Sequence, residues 1–377
     1  MRAATLPAQL LDRAGRTPGR TALRHKRLGV WEVTTWAGYA ADAAAIGLAL
    51  QGLGLRPGDR LALVAGNRPE WLLADLGAQG TGAVTLGLTS TSPAPALGNQ
   101  MRVAGVRVVV CEDEEQLDKV LEVRQELPGL VAAVVVDPRG VRSLGDPLVH
   151  TWADLVSRGR TLDPGSWRCQ VEALDPGATA VIVHPDDGGV VEVAGGALVA
   201  AAGTGGLPLA ATAADEIVSS LPLATWAERV ASIIQPLAVG ATVSFAERGG
   251  SFAHDLQEVQ PTRRLDRADG WQDLHRATER RLADASPLKR AVSRWCTSRS
   301  RAIAARRRSG TARAGDPALT AVCRLVCFGP LRRHLGLARV TTALSTGGPP
   351  DADALAWFGA IGVEVQAWVD APDPVPA

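Results

Sequence analysis

From Arg60 the chain alternates between two hydrophobic periods. A short apolar run, LALVAG, gives way to a polar turn at Asn67 to Pro69, then to a helix-period stretch reaching about Ala83, then to a second apolar run, VTLGL. After Pro93 and Pro95 comes another helical stretch, followed by the run Val106 to Val110, a charged helix over Glu112 to Leu127, and the run Val131 to Val136. Each predicted strand is a near-continuous apolar run rather than an in/out alternation. That is the pattern of parallel strands buried on both faces, with helices as the crossovers.

Acid and turn residues at Asp137 to Gly145, and at Asp163, Pro164, Asp175, Pro176 and Gly177, interrupt the series and predict a subdomain boundary. Further runs at Thr179 to Val183, Ile217 to Leu221, Ala241 to Phe245, Val340 to Ser345 and Gly362 to Gln366 predict a second α/β series. The expected architecture is therefore two tandem α/β subdomains, residues 1–175 and 176–377. The uncharged stretch Val193 to Ala214 is broken by six glycine or proline positions, so it reads as a buried helix and turn rather than a membrane span.

Composition narrows the chemistry. With 46% hydrophobic residues in 377 the chain can bury extensive cores, and 40 basic against 39 acidic residues select no polyanionic partner globally. Nucleic acid is not expected as a partner, nor is a transmembrane segment. Lysine occurs only at Lys26, Lys119 and Lys289, which limits chemistry that needs an ammonium on phosphate. The cysteines, Cys111, Cys169, Cys296, Cys323 and Cys327, form no CxxC pair and no pattern with the six histidines, so neither a metal site nor a disulfide framework is expected. The N-terminal MRAATLPAQLLDRAGR lacks an apolar signal core, giving a cytoplasmic expectation. Residues 285–315 contain no acid but nine basic residues, among them Lys289, Arg290, Arg294, Arg299 and Arg301. Two readings stand: a solvated helix with a following loop, or a contact for phosphate or a lipid surface. Only Trp295 interleaves with these charges, which argues against a single-stranded nucleic-acid groove.

Six segments in collinear order carry a family resemblance: GLRPGDRLALVAGNRPEW (54–71), TWADL (151–155), SSLPLATWAERV (219–230), LAVGATVSFAE (237–247), ASPLKRAVSRW (285–295) and ALSTGGPP (343–350). Together they resemble the bacterial long-chain fatty acid CoA ligases of the AMP-forming, adenylate-forming superfamily. The resemblance implies the layered α/β large domain of those enzymes. Since the chain stops at Ala377, it also leads to the expectation that the barrel-like subdomain and the small C-terminal domain are missing.

The family's ATP loop, TSGTTGxPKG after a strand, uses glycines for close backbone approach to phosphate, hydroxyl donors, and a lysine for charge. Here ATAVIV (178–183) is followed by HPDDGGVVEV. On the family spacing His184 and Pro185 stand at the Ser-Gly positions, Asp186 and Asp187 at Thr-Thr, Gly188 at the next glycine, Val191 at the lysine and Glu192 at the final glycine. Donors have become acceptors. At an effective dielectric of about 20, one carboxylate some 4 Å from a phosphate charge costs about 4 kcal/mol. The stretch AAGTGGLPLA (201–210) imitates the loop, but lies too near LPLATW for the family layout and reads as a helix end and turn. Of the remaining nucleotide motifs, Thr225 replaces a common histidine, and Ala268 and Asp269 replace Pro-Arg. ALSTGGPP keeps Gly347, Gly348 and Pro349. In place of YGxTE stand Val369, Asp370, Pro372 and Asp373, of which only Asp373 keeps the acidic character.

No catalytic residue is assigned, and no cofactor is expected. The resemblance, read with these replacements, implies a non-catalytic relative that holds a partner or an acyl ligand. The alternative is a component of an active fatty acid-CoA ligase completed by a separate polypeptide, which would use Mg-ATP and CoA. Self-association, or pairing with a full-length acyl-CoA synthetase, is the partner expectation, on the surface that the missing portion would have covered.

Overall fold

The structure is a computed structural model, and it describes residues 3–142, 145–184, 190–204, 211–247, 250–308, 310–311 and 313–368. Its strands in chain order begin with the hairpin β1 (Thr21–Arg27) and β2 (Val30–Thr35). There follow β3 (Arg60–Val64), β4 (Val84–Leu88), β5 (Val106–Cys111), β6 (Ala132–Val135), β7 (Val149–Thr151), β8 (Thr179–Val183) and β9 (Val191–Ala194). The last five are β10 (Glu216–Val218), β11 (Thr242–Phe245), β12 (Arg263–Arg267), β13 (Thr342–Thr346) and β14 (Val365–Ala367). They form two seven-stranded sheets, ordered β7-β6-β5-β3-β4-β8-β9 and β14-β13-β12-β10-β11-β1-β2. Both are parallel except for one antiparallel strand at an edge, β9 on β8 and β2 on β1. This is the mixed α/β, two-sheet architecture expected from the apolar runs.

The sheets cross the chain division drawn at 175. Strands β8 and β9 hydrogen-bond into the first sheet, through Thr85↔Val181 and Leu86↔Ile182, whereas β1 pairs with β11 through Leu23↔Val243. An N-terminal hairpin thus completes the second sheet, held there by Lys26, whose ammonium lies 2.7 Å from both Asp255 and Glu258.

Helices fill the layers. Trp36–Gly52, WAGYAADAAAIGLALQG, is apolar on every side, and a helix of that kind must be enclosed. It crosses the helix Pro69–Gly80 at a point of backbone contact: a Cβ on Gly47 would stand 2.3 Å from Gly77 O, which already accepts the Trp167 indole N–H at 3.0 Å. Strand β12 breaks the apolar pattern. Its sequence RRLDR buries Arg263 and Arg264 in mid-sheet, where Arg264 lies 4.9 Å over the Trp271 ring and 3.0 Å from Asp266. The long alkyl stem satisfies the packing while the guanidinium finds a ring and a carboxylate.

The basic segment is helical over Pro287–Arg308. Its inner face buries Ile303 and carries Cys296 into a core shared with Cys323, Trp271, Trp357 and Phe358. Cys296 lies in hydrogen-bonding contact with Cys323 and Cys327, all three as free thiols, and burial pushes the Cys296 thiol up to about 12. The sequence spacing gave no sign of this grouping, because it spans two helices.

Candidate functional site

In a parallel sheet the loops that follow the strands share one rim, where α/β folds place their ligands. In the first sheet that rim includes the loop after β3 and His184 after β8. In the second it includes the turn after β10 and the Gly347–Gly348 turn after β13. One asparagine joins the two rims. Asn67 donates from Nδ2 to Ser219 Oγ at 2.9 Å and to Leu221 O at 2.6 Å, and its Oδ1 accepts from Leu223 N at 3.1 Å. Gly87, on β4, packs so closely on the same turn that a Cβ would meet Ala224 Cα at 2.9 Å. Leu86 pairs with Ile182 and Gly87 meets Ala224, so the end of β8 and the turn before Thr225 both border β4 along one stretch of the rim.

Beneath that stretch Glu228 organises the turn. Buried to 1% exposure, it accepts from Ser219 Oγ and Ser232 Oγ, both at 2.6 Å, and from the backbone N–H groups of Leu221 at 3.0 Å and Ser220 at 3.3 Å. Burial pushes its carboxyl up from the usual value, while those donors pull it back. Next to it Arg229 and Asp75 form an ion pair at 2.9 Å with side chains 1% and 0% exposed. Thr85 Oγ1 donates to Asp75 at 2.5 Å, and the Arg229 guanidinium lies 4.9 Å over Trp71. These contacts tie the helical layer of the first sheet to the turn of the second.

Each sequence-selected position has a definite place or falls outside the described residues. His184 sits half-buried at the end of β8. Val191 opens β9 in register with Val183, its side chain partly buried against the main core. Glu192 is exposed on the same strand and accepts from Thr179 Oγ1 at 2.9 Å. Thr225 caps the short helix Trp226–Arg229: its Oγ1 accepts from Glu228 N at 3.4 Å and donates to Pro222 O at 2.8 Å. Its one proton is therefore committed to the backbone. Gly347 and Gly348 take φ of +69° and +104°, conformations open chiefly to glycine, and Ser345 Oγ donates to Gly348 O at 2.7 Å. Pro349 is exposed beside them. Pro185, Asp186, Asp187, Gly188 and Asp373, with the neighbouring Val369, Asp370 and Pro372, lie outside the described residues. The imitation loop at 201–210 begins within the helix Gly195–Thr204 and then passes outside them too.

The AMP-binding enzyme family matches residues 10–184. Over that stretch the chain is similar to that adenylate-forming family. It is 24% identical over 357 residues to a long-chain-fatty-acid–CoA ligase, ACSBG2, of Xenopus laevis, covering 91% of this chain and 48% of the relative. To the human ACSBG2 it is 21% identical over 372 residues, covering 96% and 55%. The chain thus spans about half the length of these curated relatives. Among solved structures, the A-PCP didomain of a carboxylic acid reductase from Segniliparus rugosus, in complex with AMP, superposes with a TM-score of 0.70 at 17% identity over 97% of this chain and 52% of that one. A putative long-chain-fatty-acid CoA ligase from Rhodopseudomonas palustris CGA009 gives 0.63 at 18% identity, over 96% and 74%. The adenylate-forming fold accounts for both sheets, and the sequence relatives are long-chain acyl-CoA synthetases. Among the described residues no helix is long and apolar enough to cross a membrane.

Sequence reasoning missed Asn67, Asp75, Glu228 and Arg229 as organisers of the rim. Asn67, Glu228 and Arg229 lie within the quoted segments GNRPEW and LPLATWAERV. The available signal was a polar residue inside an apolar stretch, which carries no information about partners such as those of Asn67 and Arg229, 152 and 154 positions away.

Proposed function

We propose that this chain is a long-chain acyl-CoA synthetase-like body in which the nucleotide rim no longer supports adenylation, and that it holds an acyl ligand or a protein partner without activating it. The observation that carries this reading is the placement of Val191. The family puts a lysine ammonium at this position, to face phosphate. Here an apolar side chain packs against the core from a strand paired with Val183. Of the three lysines, Lys26 is committed to Asp255 and Glu258, Lys119 to Glu115 and the Ser90 carbonyl, and Lys289 lies on the helix Pro287–Arg308. Two further features support it: the backbone-committed hydroxyl of Thr225 where the family commonly has histidine, and the acidic residues Asp186 and Asp187 in the loop sequence.

On this reading neither Mg-ATP nor CoA is a working cofactor, and the partner is a second copy or a full-length acyl-CoA synthetase. The test is fatty-acid-dependent ATP–pyrophosphate exchange with the purified chain. Exchange at background is the expected result. Exchange above a buffer control would overturn the proposal in favour of an active ligase component that uses Mg-ATP and CoA.

A further inference from the structure

Away from the rim, a cavity of about 800 Å³ opens between the helices Ala268–Ala283, Pro287–Arg308 and Ala352–Ala360, in the helical layer beside β12, β13 and β14. None of the rim positions described above lines it. Its volume is that of a site for a ligand of nucleotide size.

One wall is cationic. Arg290, Arg294, Thr297 and Arg301 line it from a single helix at offsets of four, seven and eleven residues, which puts them on one face over about 16 Å of helix. The three guanidiniums make no ion pair with a carboxylate among the described residues. Arg290 Nη1 donates to the Ala283 carbonyl at 3.3 Å, Arg294 Nε to the Arg290 carbonyl at 3.4 Å, and the buried Arg290 Nε has no hydrogen-bond partner. This contrasts with Arg306 on the same helix, which is satisfied by Asp316. The opposite wall is different in kind. His275 lies against Trp357, ring centroids 5.1 Å apart, and burial lowers the His275 pKa, so its ring favours the neutral form. Glu279 and Asp353 supply acceptors there.

We propose that this cavity binds an organic phosphate, with its anionic groups on Arg290, Arg294 and Arg301 and its uncharged part against the His275–Trp357 side, where Glu279 and Asp353 accept from ligand hydroxyls. A single carboxylate offers two oxygens, enough for one bidentate guanidinium. Three guanidiniums spread along a helix face match a group with more charge and more oxygens, and planar arginine forks suit phosphate. The acids on the far wall make a polyanion spanning the whole cavity unfavourable, so the ligand is charged at one side only.

The probe is inorganic pyrophosphate, titrated calorimetrically into the full chain at low salt, with three variants beside the wild type. Arg290→Ala with Arg294→Ala should weaken binding at least tenfold, and Arg294→Ala alone, a change at an exposed side chain, should weaken it severalfold in a fold-neutral background. Arg299→Ala removes an equal charge from the same helix at a position outside the cavity lining, and should leave the affinity within about twofold. That small change corresponds to under about 0.5 kcal/mol. Absence of saturable pyrophosphate binding to the wild type would overturn the proposal. So would binding undiminished in the double variant, which would place the anion elsewhere, or equal losses in Arg299→Ala and Arg294→Ala, which would reduce the effect to diffuse charge.

Discussion

Replacing Asp75 by alanine should be among the most damaging single changes available in this chain. The carboxylate lies 2.9 Å from Arg229, with both side chains at 1% exposure or less, so water cannot take its place. Its removal leaves a guanidinium buried over Trp71 without a counter-charge, and takes the acceptor from Thr85 Oγ1, 2.5 Å away. Breaking a buried pair from one side costs about 3–5 kcal/mol, against about 0–1 kcal/mol for an exposed pair. Arg229→Met should cost a similar amount by stranding Asp75. Combining Asp75→Asn with Arg229→Met removes both charges and keeps a polar partner for Thr85, so the double variant should be more stable than either Asp75→Ala or Arg229→Met. Urea unfolding followed by tryptophan fluorescence measures this, and Trp71 beside the pair reports directly. A loss under about 1 kcal/mol for Asp75→Ala would refute the reasoning by placing the pair in the range of exposed ones. So would a double variant no more stable than either Asp75→Ala or Arg229→Met, since that would leave no cost to a stranded charge.

Three further outcomes follow from local geometry. Thr225→Ala should cost about 1 kcal/mol in the same unfolding assay, and Thr225→Ser should restore most of it, because the residue serves as a helix cap. Burial raises the Glu228 carboxyl above its reference of 4.5, so its stabilising contribution is full below that value and is lost as pH rises through the higher folded-state value. Glu228→Gln should therefore flatten the fall of stability with rising pH in the mildly acidic range. A variant with the wild-type slope would assign that slope to another group. Gly47→Ala should destabilise by at least about 1–3 kcal/mol, since the added methyl would stand 2.3 Å from Gly77 O and 2.8 Å from Trp167 Nε1. Thermal unfolding at or above the wild-type temperature would show that the two helices can separate freely.

The chain's own pattern was enough for much of the architecture. Runs such as RLALV, VRVVVC and AAVV are buried on both faces, and a strand of that kind announces itself without reference to its neighbours. The departures from the family motifs were legible too, because a motif is a local string: Val191 and Thr225 could be singled out before any coordinate was known. Other features were not local. RRLDR becomes a central strand only because Trp271 and Asp266 receive Arg264 there. The hairpin at 21–35 carries mixed polarity, and joins the second sheet through Leu23↔Val243, some 220 positions away in the chain. For the same reason the sheets disregard the division at 175. The rim was half-legible: sequence named its positions, but only the tertiary structure brought Asn67 to Ser219 and Asp75 to Arg229. The arginine wall shows the limit most directly. Sequence supplied a basic helix, and the neutral fate of a solvated face was one of its two readings. Whether those charges are spent on carboxylates or left facing a cavity depends on which helices pack alongside, and a residue's electrostatic surroundings are set by neighbours in space rather than in sequence.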